Sequence, residues 1–218
     1  MGWTGIHATH YKKNGDVDRK AECDSYWLDG LSAGHFEVVK STMVGTTYYA
    51  AIKPLVKRNG VDEIGHDKYE PLPESEQDVF AVVFLTNVDK KDYFNFNYKN
   101  MDETMCPYSF DCPVGILDLL SPTDNELANE WREKCRQSAK DKAAKKQFIK
   151  LLKDIEVGQR IKFILKQNMS DGSKSGSEVC LIKTIHQGKP IWYGGGYKWS
   201  DSLIADASGM DIAVCQLG

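Results

Sequence analysis

The sequence predicts an α+β fold: a mixed or antiparallel sheet body carrying two basic helices, followed by a small antiparallel β module. Three observations predict it. "DVFAVVFLTNVD" is an almost continuous apolar run of strand length, which indicates a central strand buried on both faces. After "SPTDNE" the apolar residues recur at helical spacing among lysines and arginines. Beyond Val157 the period changes to two, in short segments separated by glycine-rich turns. The expected division is a body over 1–156, with its basic helices at 122–154, and a barrel-like or sandwich-like module over 157–218. A chain of 218 residues, 41% hydrophobic and 27% charged, has ordinary globular composition for one or two such domains.

Each element has a local reason. "GWTGIHATHY" leans to β structure and ends at the turn signal "KKNGD". Asp16 or Asp18 then caps a helix whose apolar positions are Ala21, Tyr26 or Trp27, and Leu28. "FEVVKSTMVGTTYYAAIKPLV" is rich in β-branched and aromatic residues and reads as two strands about Gly45, or a strand and a helical turn. "KRNGVDEIGHDKYEPLPESEQ" is polar and turn-rich, a surface loop or wide hairpin. "YFNFNYK" alternates aromatic with polar residues and belongs beside the central strand. Ser121 is placed as an N-cap with Pro122 as first helical residue. Leu127, Trp131 and Cys135 form one apolar stripe; Phe148, Leu151, Leu152 and Ile155 form the next, on two helices or one bent helix. "RIKFILKQN", "EVCLIKTIHQ", "KPIWYGG" and "MDIAVCQL" are the strands of the module, with "GGGYKWSD" as a turn.

Net charge is only −3, but it is unevenly spread. Residues 62–111 carry 12 acidic and 4 basic side chains, whereas 132–166 carry 12 basic and 4 acidic. Such bipolarity gives two faces for different partners, two faces that meet one another inside the fold or across a dimer, or ordinary solvated surfaces. No apolar run reaches the roughly 18 residues of a spanning helix and no secretory leader is visible, so a cytoplasmic protein without membrane partners is expected. The six cysteines lack a disulfide-scaffold rhythm and read as free thiols.

The opening poses the chemical question, with His7 and His10 three residues apart. Together with Cys106 and Cys112 they would make a four-ligand zinc site, but strand geometry sends the two histidines to opposite faces and Cys-x5-Cys is not a knuckle spacing. No metal and no cofactor are expected; instead Trp3 and one histidine should be buried. "HAT" fits half of a two-histidine phosphoesterase pattern, yet no other histidine starts a second half. A third arrangement, His7 or His10 with Tyr48 or Tyr49 and Glu103, matches the loose pattern by which ADP-ribosyltransferases hold a dinucleotide. For binding, the candidates are Lys142, Lys145, Lys146, Lys150 and Lys153 as phosphate contacts, and Trp192, Tyr193, Tyr197 and Trp199 with Lys189 and Lys198 as a base-stacking cluster.

Taken as a set, "GWTGIHATHY", "GDVDRKAECD", "STMVGTTYYAAIK" and "NMDETMCPYSFDCPVGILDLLSPTDNELANEWREKC" resemble a family of uncharacterised proteins, a domain of unknown function carried by bacteriophages, plasmids and integrative elements of bacteria. The resemblance implies no catalytic residues. It implies a setting, in a bacterial host cell, where small accessory proteins counter host defences or handle the element's nucleic acid. Three classes follow: a stoichiometric anti-defence inhibitor of a bacterial nucleic-acid-targeting or signalling protein, a nucleic-acid-binding accessory factor, and a small transferase or hydrolase built on His7 and His10. The expectation is ranked in that order.

Overall fold

The structure is a computed structural model that describes residues 4–29, 33–100, 110–170 and 172–215. Trp3, Glu103 and Cys106 lie outside the described residues. The chain is α+β with antiparallel sheets, and its contacts divide it into two compact units, residues 1–139 and 140–218.

The first unit contains β1 (Thr4–His7), α1 (Arg19–Leu28), β2 (Phe36–Val44), β3 (Thr47–Pro54), β4 (Val56–Val61), β5 (Asp67–Pro71), β6 (Phe80–Lys90), β7 (Tyr93–Asn100), α2 (Val114–Leu117) and the first part of α3 (Glu126–Asp154). Five strands form a sheet in the order β1-β7-β6-β3-β2, so the apolar run does occupy the central strand, with "YFNFNYK" beside it. Alternate residues of β3 and β6 serve different cores. Tyr48, Ala50, Ile52, Val82 and Phe84 pack with Cys23 and Trp27 of α1, whereas Tyr49, Ala51, Ala81 and Val83 pack with Ile116, Leu117, Trp131 and Cys135. Both faces are covered, which is why β6 carries no polar alternation over its first residues. The segment after Pro54 folds back as a separate two-stranded hairpin, β4–β5.

The second unit contains the rest of α3, then β8 (Arg160–Ile164), β9 (Glu178–His186), β10 (Lys189–Gly194), β11 (Tyr197–Trp199), α4 (Asp201–Ser208) and β12 (Ala213–Cys215). Its sheet runs β11-β10-β9-β8-β12, with Gly195 and Gly196 both at positive φ in the β10–β11 turn. Phe148 and Leu152 of α3 and Ile204, Ala205 and Ala207 of α4 cover one face of it.

Several expectations need correction. Ser121 is not a helix cap: its backbone N–H and its Oγ both bond Val79, and the cap of α3 is Asn125, whose Oδ1 accepts from the Ala128 N–H at 3.0 Å. Of the two helices or one bent helix expected, the chain has one helix of 29 residues, and the division between the units falls inside it. Leu127 and Leu151 are exposed; Ala128 takes the buried position beside Trp131. The "GGGYKWSD" stretch opens a helix, α4, because Ser200 Oγ accepts from Leu203 N–H and Gly209 closes it in the left-handed conformation.

Candidate binding surfaces

The opening segment is a structural tie. Glu22, in the first turn of α1 and only 2% exposed, accepts the backbone N–H of Thr9 and of His10, each at 2.5 Å, on one carboxylate oxygen. His10 Nδ1 lies 3.4 Å from that oxygen and 2.9 Å from Thr9 Oγ1. His7 ends the edge strand β1, exposed, with its ring edge-on to Tyr93 at 5.5 Å. Neither histidine is buried, contrary to expectation, because β1 is an edge and His10 sits on the rim over Glu22. Among the described residues no group of three or more His, Cys, Asp or Glu side chains is placed to hold a metal. Cys112 is in the core beside Cys135.

Tyr48 cannot hold a dinucleotide, since it is fully buried and its phenol donates to Asp24 Oδ1 at 2.8 Å; the same oxygen accepts from Ser41 Oγ. Burial, then the neighbouring Asp24, pushes the phenol far above the tyrosine range. Burial likewise raises the thiols of Cys23, with Asp24 and Glu22 adding to it, and of Cys112. All three groups keep a proton in the folded state that the unfolded chain releases. Their stabilisation is therefore complete below the ordinary values of 9.0 and 10.0 and declines as pH rises past them. Urea denaturation should show stability falling above about pH 9, with a slope approaching roughly 1.4 kcal/mol per unit for each group. A flat profile to pH 11 would contradict this burial.

In the second unit, Lys142, Lys146, Lys150 and Lys153 fall at i, i+4, i+8 and i+11 and form one exposed stripe about 16 Å long at 1.5 Å per residue. Lys145 stands apart, held by both carboxylate oxygens of Asp206 at 2.7 and 2.8 Å. The aromatic cluster does not survive as a set. Trp192 is 1% exposed with its indole N–H on Asp201, and Trp199 is buried against Phe163, so neither ring offers a face to a base. Tyr193 and Tyr197 are exposed.

In the first unit two surface features stand out. One is an open cleft of about 800 Å³ beside the start of α1, lined by Lys12, Arg19, Lys20 and Lys91 together with Asp16 and Asp18. Its carboxylates are engaged locally, Asp16 by Asn14 and Asp18 as the α1 cap, and Lys20 is paired with Asp24.

The other is the β4–β5 hairpin. Its tip is a formed turn: Asp62 Oδ1 accepts from the N–H groups of Ile64 and His66, at 2.9 and 2.8 Å, while the Asp62 N–H donates to the His66 carbonyl. Gly65 sits at φ +88°, a conformation that strains any residue bearing a Cβ. This turn holds Ile64 78% exposed, between Asp62 and Glu63 on one side and Asp67 on the other. The hairpin over 56–71 carries four carboxylates and three cations, and three of those carboxylates, Asp62, Glu63 and Asp67, lie at its tip. The polar run predicts a surface loop or wide hairpin but not this tip, whose signal is the lone isoleucine in "DEIGHDK".

A family model described as a domain of unknown function (DUF6927) matches residues 122–201, from just ahead of α3 to the first residue of α4. That stretch overlaps the segments quoted above for the resemblance only at the start of α3. No curated protein and no solved structure matches the chain.

Proposed function

We propose that this protein acts by stoichiometric binding, as an accessory of a phage, plasmid or integrative element that inhibits a bacterial nucleic-acid-targeting or signalling protein in the host cytoplasm. The observation that carries the reading is the hairpin tip, where Asp62, Glu63 and Asp67 flank Ile64 on a fixed turn. Proteins that hold nucleic acid do so with basic grooves, because phosphate neutralisation dominates that affinity. An acidic tip is steered to such a groove by charge, and the apolar residue on it supplies the desolvated anchor on which interfaces concentrate their energy. Preforming the turn removes an ordering cost from the bound state. The resemblance to proteins of mobile elements supplies the setting.

Affinity capture from a bacterial lysate, with variants run in parallel, tests this. Ile64→Asp should weaken capture of the partner roughly 30-fold or more, as expected for an interface anchor worth about 2 kcal/mol. Asp62→Ala should weaken it several-fold by loosening the turn, and His7→Ala should leave it unchanged. Capture that survives Ile64→Asp but is lost on His7→Ala would contradict the proposal.

A further inference from the structure

We propose that the uncovered face of the second unit's sheet is a platform for single-stranded nucleic acid, a site separate from the β4–β5 hairpin and independent of the protein-partner reading. Both helices of that unit pack on the same side: Ile161, Phe163, Leu181, Trp192 and Trp199 all point toward α3 and α4. Side chains alternate along a strand, so the residues between them point away from the helices. The pairing register then builds one row across four neighbouring strands. Arg160 of β8 faces Ile182 of β9, Ile182 faces Tyr193 of β10, and Tyr193 faces Lys198 of β11. At about 4.8 Å between strands the row is roughly 14 Å long, with a cation at each end and an aromatic ring between them.

The exposures fit that use. Tyr193 is 44% exposed, Arg160 and Lys198 are exposed, and Ile182 is half-buried as a floor. The flanking registers add Lys162 and Lys189 to the same face, and Glu178 is the one carboxylate among its described residues in β8 to β12. Lys162 reaches Glu178 only at 3.9 Å, and Lys198 shares a 2.7 Å hydrogen bond with His186. The face is thus cationic, with one ring available for stacking. A duplex hides its base faces inside the stack, whereas a single strand offers a π-face at every base and phosphates on either side. Aromatic stacking flanked by cations is the chemistry of the second, and it is sequence-tolerant.

The experiment measures fluorescence anisotropy of labelled oligo-dT and oligo-U of roughly twelve nucleotides, and of a duplex of the same length, with the full chain at low salt. Single strands should bind in preference to duplex, with a log–log salt slope of about −0.7 per contacted phosphate. Tyr193→Ala should weaken binding about tenfold or more while Tyr193→Phe retains it, and Arg160→Gln and Lys198→Gln should each flatten the slope by about 0.7. Cys180, an exposed thiol on the same face paired in register with Lys162, should be protected from iodoacetamide by the oligonucleotide in the unaltered protein. Ile64→Asp should bind the strands normally, which separates this site from the hairpin. The proposal is overturned if no single strand binds at low salt or if Tyr193→Ala binds as the parent does. It is equally overturned if Cys180 stays reactive in the complex, or if binding is lost only when Lys142, Lys146, Lys150 and Lys153 become glutamine.

Discussion

Replacing Lys183 with methionine lowers the melting temperature by roughly 10 °C and frees the last turn of α3 to exchange its amide hydrogens. The last four carbonyls of any α-helix lack intrahelical partners. Lys183 reaches up from β9, 5% exposed, and its three ammonium hydrogens meet the carbonyls of Leu152, Lys153 and Ile155 at 2.9, 2.9 and 2.6 Å. The charge also sits at the negative end of the helix dipole and 5.5 Å from the Trp192 ring centroid. Methionine keeps the stem's volume, so the lost energy is that of the charged hydrogen bonds. Each is worth about 1.5–3 kcal/mol alone and they are not additive, so a total of about 3 kcal/mol is expected. Lys189→Met, on the exposed face of the same sheet, serves as the control and should shift the melt by less than about 2 °C. A Lys183→Met protein that melts with the parent would show that the helix end is satisfied otherwise.

Glu22→Ala is the other large loss, about 2 kcal/mol, because it removes a buried carboxylate and leaves two part-buried N–H donors without their acceptor in the segment between β1 and α1. Glu22→Gln should cost less, since the amide oxygen can accept both bonds. Hydrogen exchange at Thr9 and His10 reports the effect directly: fast in the alanine variant, slower in the glutamine one, slowest in the parent. Fast exchange at these amides in the parent would refute the tie.

These two residues mark where the sequence was legible and where it was not. The strand at "DVFAVVFLTNVD" is read correctly because burial on both faces leaves an unbroken apolar run, and β8 to β10 because their apolar residues alternate. The cap at Ser121 was misplaced because Ser-Pro-x-Asp satisfies the local helix rule, while Val79, 42 residues away and just ahead of β6, claims the same hydroxyl. Lys183 looks in the sequence like an ordinary surface lysine in an otherwise apolar strand; only packing against the end of a helix makes it a buried cap. Trp192 and Trp199 face each other across a glycine turn, so their sharing a face follows from the turn, but which face the helices cover does not. For the same reason Tyr193 could not be separated from its neighbours. The opening histidines drew notice as chemistry, whereas Glu22, the residue that holds Thr9 and His10, is twelve positions beyond His10 and unremarkable in its own helix.

The central claim is that binding through the hairpin is the activity, and calorimetric titration of the captured partner with this protein, alongside a titration of the partner's own activity, tests it most directly. Saturation is expected near one molecule per site, with activity lost in proportion to occupancy and both curves displaced to weaker binding by Ile64→Asp. Loss of the partner's activity at far substoichiometric amounts, abolished by substituting His7, His10 or Glu103 with alanine, would contradict it and establish catalysis in its place.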